Sequence, residues 1–190
     1  KEEGTVKKVI ILCLAGFILV AGSFMNLSEA KSTDKEISSV GTHQKSEETF
    51  NMTLDELMKS STIPVGGENV KYAQYFEGTS YLKMLSLNQV IVGNVTFSPG
   101  CRNHWHIHHA TKGGGQMLLI TAGRGYYQEW GKPVQELHPG DVVNIPAETK
   151  HWHGAAPHSA FQHLAIEVPG ENASTEWCEP VDDDEYRNLK

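Results

Sequence analysis

Between residues 70 and 168 the chain is cut into short runs rich in apolar side chains, some of them alternating with polar ones. Val70 to Phe76, Ser80 to Leu85 and Gln89 to Phe97 come first, then Trp105 to His108, Gln116 to Thr121 and Gly125 to Trp130. Val134 to Leu137, Asp141 to Ile145, His151 to Gly154 and Ala160 to Val168 complete the series. Alternation with period two puts every second side chain on one face of a strand. Turn residues fall between the runs, at Pro99-Gly100, Gly123, Gly131-Lys132, Pro139-Gly140 and Pro157. Many short strands punctuated by Gly and Pro predict an all-β architecture, an antiparallel barrel or jelly roll. Helical spacing is confined to the two flanks. Thr53 with Glu56 makes a capping box ahead of an apolar stripe of Leu54, Leu57 and Met58, so a short helix is expected before Pro64 and Gly66-Gly67. At the other end Asp182 can cap a short helix whose inner face carries Tyr186 and Leu189.

The first thirty residues follow another pattern. Lys7 and Lys8 precede an apolar run from Val9 to Val20, and small and polar residues lead to Leu27-Ser28-Glu29-Ala30. A charged start, an apolar core and a small-x-small end predict a secretory signal over residues 1–30, cleaved after Ala30. The run falls short of the roughly 20 residues of a membrane span. The expectation is therefore a secreted or periplasmic protein with no stable membrane anchor after cleavage. Residues 31–50, rich in Ser, Thr, Lys, Glu and Gln, read as a flexible leader, with His43 in solvent. Residues 51–190 then form one domain. The formal net charge of the whole chain is −7, and residues 1–30 contribute equal numbers of Lys and Glu. No basic face recommends nucleic acid as a partner. Outside the cytoplasm Cys101 and Cys178 can pair or stay free. Neither has the CxxC spacing of a metal site.

Histidine changes the picture most. His104, His106 and His108 alternate within Gly100 to Gly123, and His151 and His153 alternate after Pro146. On strands, each set would present its imidazoles on one face, and imidazole is a common metal ligand near neutral pH. From the residues alone, both His104–His106 and His106–His108 are possible ligand pairs. Five to seven imidazoles in one barrel would each need a partner, so a metal is a more economical reading than polar filler. His109 points the other way and belongs to a loop, while His138 and His158 adjoin turns. Gly113-Gly114-Gly115 lacks the Lys-Ser/Thr of a phosphate loop and reads as slack at the lip of a pocket.

Gly100, His106, His108, Gln116 and Gly123 together resemble the first motif of the cupin superfamily, and Gly140, Pro146 and His151 resemble the second. The resemblance covers about residues 85–170, with a motif core at 88–168, and implies a cupin β-barrel with short N-terminal and C-terminal helices. Trp105-His106-Ile107-His108, Lys150-His151-Trp152-His153-Gly154-Ala155 and His163-Leu164-Ala165-Ile166 are similar to the small single-domain cupins related to manganese-dependent hydroxynitrile lyases. Many such proteins carry a carboxymuconolactone decarboxylase label. The resemblance implies one divalent metal, Mn before Fe, Zn, Ni or Co, held by His106, His108, Gln116 and His151. It implies His163 as the acid or base beside the substrate, and pocket positions at Gly93, Val95 and Glu167. A neutral amide is common at the last of these, where this chain has a carboxylate. His104 is then expected at the entrance or behind the ligands, and His153 behind them or on the substrate. Three imidazoles and one amide oxygen leave a divalent ion its full charge, which suits Lewis-acid chemistry. The implied activity is a small-molecule lyase of the hydroxynitrile type. An iron dioxygenase and a non-catalytic small-ligand binder remain as alternatives. A homodimer is expected from the apolar outer strands.

Overall fold

The computed structural model describes residues 51–189, so the expected signal segment, the leader and His43 lie outside the described residues. The chain begins with α1 (Leu54–Ser60), β1 (Gly67–Glu68), a 3-10 helix (Val70–Tyr75), β2 (Phe76–Glu77), β3 (Ser80–Ser86) and β4 (Ile91–Phe97). It continues through β5 (Arg102–Asn103), β6 (His106–His109), β7 (Lys112–Gly113), β8 (Gln116–Gly123), β9 (Gly125–Glu129) and β10 (Gln135–Leu137). β11 (Val142–Ile145), β12 (Lys150–Ala155), β13 (Phe161–Glu167), β14 (Gly170–Glu171), β15 (Ser174–Trp177) and α2 (Asp183–Arg187) complete it.

All the strand pairs are antiparallel, in two main sheets. One sheet runs β1-β3-β4-β13-β8-β11; the other runs β10-β9-β12-β5-β2, with β6 pairing both β12 and β15. Their inner faces share a core of Phe97, Leu118, Ile120, Tyr127, Ala155 and Phe161, all nearly solvent-free. Alternation explains how this core and the imidazoles coexist on β12. His151 and His153 turn inward, while Trp152 turns out into a second cluster with Trp105, Tyr126, Val181 and Tyr186. α2 seals that cluster. Asp182 caps it through Asp184 and Glu185 N–H groups, Tyr186 donates to the Ala155 carbonyl, and Arg102 stacks on Tyr186 while pairing with Asp183. At the other flank Thr53 and Glu56 form the expected capping box, and α1 buries Leu57.

Three local expectations give way. Val70–Tyr75 is a 3-10 helix, not a strand. Tyr72 and Tyr75, three residues apart, are its half-buried side chains, which matches three residues per turn and not alternation. Gly113–Gly115 is not slack. Gly113 pairs with Gly170 across β7–β14, and a Cβ on Gly115, where φ is +93°, would lie 2.2 Å from the Ile145 carbonyl oxygen. The run carries the chain through a close crossing that only glycine fits. His109 belongs to β6, not a loop, held by Glu148 at 2.6 Å and Glu176 at 2.8 Å. Cys101 and Cys178 are free, the first fully buried with its thiol pushed up to about 12 by desolvation.

Candidate metal centre and cavity

β6 and β12 lie side by side with His106 directly opposite His151, and His108 follows two residues along β6 on the same inner face. One ring nitrogen from each of the three lies within 4.8 Å of the others, and all three residues are buried. Each ring meets a polar partner at Nδ1. His106 Nδ1 donates to the His104 carbonyl at 3.0 Å and His151 Nδ1 to the Thr149 carbonyl at 2.8 Å. His108 Nδ1 faces Glu167 Oε2 at 3.2 Å and Thr175 Oγ1 at 3.3 Å. With the proton on Nδ1, the lone pair sits on Nε2 and turns into the site.

Gln116 enters from the opposite sheet as the first residue of β8. Its Nε2 donates to Glu167 Oε1 at 2.7 Å. Its Oε1, His108 Nε2 and His151 Nε2 are buried atoms with no hydrogen-bond partner among the described residues. Buried polar atoms normally have one. Three acceptors left open together, beside His106, are the donor set a divalent ion requires, so the residues present fit such an ion. Burial, helped by the neighbouring His151 and His108, holds His106 well below the usual imidazole range, and burial takes His151 to about 4. Both rings are therefore neutral near pH 7, the state that ligates. Glu167 is held below the usual carboxylate range: desolvation pushes it up, and hydrogen bonds from His108 and Gln116 outweigh that.

The centre opens into a cavity of about 430 Å³. Its walls are mostly apolar, with Tyr72, Phe76, Leu82, Met84, Ile91 and Trp177 among them. Trp177 stacks flat on Tyr75, centroids 4.6 Å apart, and lies over His106 at 4.8 Å. Of the residues the sequence reading placed at the pocket, Gly93, Val95, His153 and Glu167 line this cavity. A Cβ on Gly93 would come within 3.2 Å of Leu82 Cδ1, so glycine keeps that wall open.

His104 and His163 do not line it. The side chain of His104 faces Glu77 at 3.4 Å, and its contribution to the centre is the carbonyl that aims His106. His163 has no solvent exposure and lies against Phe97 and Phe161, with Nε2 3.1 Å from His153 Nδ1. Of His104, His153 and His163, the one that lines the cavity is His153. Asn103 accepts from the His153 backbone N–H at 2.9 Å, which turns its amide nitrogen to the ring, 3.1 Å from Nε2 and 3.4 Å from Nδ1. A file of Asn103, His153 and His163 therefore runs from the cavity wall into the core. Burial first, then the adjacent His163, holds His153 well below its ordinary value, and burial takes His163 to about 4.

The sequence reading missed Asn103, Tyr72 and Trp177. Asn103 adjoins the histidine run and carried no period of its own. Trp177 lies in the polar segment Ser174–Trp177, where no alternation marks a strand; pairing with β6 makes it one, in register Trp177 with His106.

A family model described as "Cupin domain" matches residues 93–166. The chain is 48% identical over 94 residues to an (R)-mandelonitrile lyase from Granulicella tundricola, covering 50% of this chain and 69% of that enzyme. It is 36% identical to a cupin-like protein from Thermotoga maritima whose crystal structure superposes with a TM-score of 0.60, covering 68% of this chain and 97% of that one.

Proposed function

The chain belongs to the cupin superfamily, and from that premise we propose that it is a metal-dependent lyase that cleaves or forms small hydroxynitriles. The observation that carries this reading is the group of buried acceptors, His108 Nε2, His151 Nε2 and Gln116 Oε1, that have no partner among the described residues, with His108 and Gln116 lining a largely apolar cavity. The similarity to a mandelonitrile lyase supports the choice of reaction.

His106, His108 and His151, through Nε2, and Gln116, through Oε1, would hold the ion, with manganese the first expectation. A bound divalent ion supplies Lewis-acid polarisation of a substrate oxygen or nitrogen. The remaining work falls to the protein's own groups. The apolar wall of Tyr72, Phe76, Leu82 and Met84 seats the organic part of the substrate and excludes water. His153 Nε2 gives up its contact with the Asn103 amide and takes the hydroxyl proton, the bond from carbinol carbon to nitrile carbon breaks, and the carbonyl forms. Cyanide leaves with that bond's electron pair and receives the proton as HCN. His163 Nε2 accepts the hydrogen bond from His153 Nδ1 and keeps the proton-accepting nitrogen of His153 towards the cavity. His163, which the resemblance makes the acid or base, thus acts through His153 in this account. A homodimer and export remain part of the proposal.

The test is turnover. The full chain, loaded with Mn²⁺ and given racemic mandelonitrile, is expected to release benzaldehyde and cyanide in equal amounts, with the same rate under air and under nitrogen. Consumption of dioxygen on turnover would move the assignment to the oxygenase alternative. Binding without product would leave a ligand-binding module.

A further inference from the structure

We propose that Glu167 is a positioning residue of the metal centre, holding Gln116 and His108 in the one arrangement that turns an acceptor atom of each towards the ion. The inference deepens the metal-site reading above and depends on it. Glu167 sits on β13 directly opposite Gln116 on β8, and its two carboxylate oxygens divide between the two residues. Oε1 accepts from Gln116 Nε2 at 2.7 Å, and Oε2 lies 3.2 Å from His108 Nδ1.

An ionised carboxylate accepts and never donates. Only the NH₂ end of Gln116 can therefore face Glu167, and Oε1 must point away, where it is buried with no partner among the described residues. Oε2, 3.2 Å from His108 Nδ1, repels a lone pair there and so favours the tautomer with its proton on Nδ1, which leaves the Nε2 lone pair for the ion. Thr175, the other neighbour of that Nδ1 at 3.3 Å, is a hydroxyl that donates or accepts, so it selects neither tautomer. A neutral amide at residue 167 would not select either. Its oxygen and its nitrogen could each face Gln116, and half of the arrangements would turn an N–H group towards a cation. The carboxylate removes those arrangements without adding a fifth ligand.

The carboxylate also brings a negative charge, so the experiment separates reach from charge. Mn²⁺ and Co²⁺ binding to the full chain is measured by titration calorimetry for wild type, Glu167→Gln and Glu167→Asp. Glutamine keeps the length and drops the charge; aspartate keeps the charge and falls one methylene short of both partners. A positioning role predicts that both variants bind each ion about 10–100-fold more weakly. It also predicts that the visible absorption bands of the Co²⁺-saturated protein shift in both, because Gln116 no longer presents its oxygen uniformly. Wild-type affinity in both variants overturns the proposal. So does wild-type affinity in Glu167→Asp with a loss confined to Glu167→Gln, which would assign charge alone. The aspartate variant decides the matter by itself if the glutamine variant does not fold. A wild-type chain that binds neither ion would instead remove the metal-site reading.

Discussion

Full chain carrying His106→Ala and His108→Ala together is expected to lose its equivalent of bound metal while keeping its fold. The two rings supply two of the four proposed donor atoms and all of those on β6. What remains, His151 and Gln116, comes from facing sheets and cannot chelate from a single strand. The loss should exceed the roughly 10–100-fold that removal of an outer hydrogen-bond partner costs a metal site. The fold should survive because β6 is held to β12 and β15 by backbone bonds that alanine retains. The substitution also removes a buried acceptor, His108 Nε2, that has no partner among the described residues. Removing such a group relieves a desolvation cost of about 1–3 kcal/mol, which offsets part of the packing lost. Elemental analysis beside a thermal melt of the metal-free proteins checks both halves. A variant that keeps one equivalent of metal would place the site elsewhere.

The second large effect concerns the proton. His153→Gln is expected to lower kcat by about 10²–10⁴-fold, the usual contribution of a general acid or base, with metal content unchanged. Glutamine preserves a polar group beside Asn103 but cannot take a proton. His163→Ala is expected to fall less, because His163 lies behind His153 with no exposure to the cavity. Its loss frees the ring of His153 without deleting it. Steady-state kinetics on metal-loaded variants decides the order. Full activity in His153→Gln with a collapse in His163→Ala would reverse the two roles and restore the assignment the sequence resemblance implies.

The barrel was legible because its signals are local. The runs expected at residues 80–85, 89–97 and 160–168 survive, with ends shifted by one or two residues, as β3, β4 and β13, and turn residues separate the strands. The pairs His106/His108 and His151/His153 were legible for the same reason, since period two fixes a face before any partner is known. Gln116, by contrast, is a candidate only as the polar residue that opens an apolar strand, and its place among the ligands comes with the resemblance; nothing else in its neighbourhood distinguishes a ligand from an ordinary strand start. The 3-10 helix at Val70–Tyr75 was misread because two tyrosines three apart also satisfy a loose apolar pattern. β15 and Trp177 were invisible because Ser174–Trp177 becomes a strand through pairing with β6 and not through its composition. The relation between His153 and His163 was out of reach for a deeper reason. Both residues are buried, and only the three-dimensional packing shows His163 against Phe97 and Phe161 and His153 at the cavity wall. The consequence of a carboxylate at residue 167 was equally hidden until its two oxygens could be traced to Gln116 and His108.

The most direct test of the central claim is anomalous scattering from a crystal of the full chain grown with Mn²⁺, recorded on both sides of the manganese edge. The account predicts one strong peak per chain, bonded to the Nε2 atoms of His106, His108 and His151 and to Oε1 of Gln116. A peak bound by other residues, or by the three histidines with Gln116 turned away and its NH₂ group nearest the ion, would contradict it.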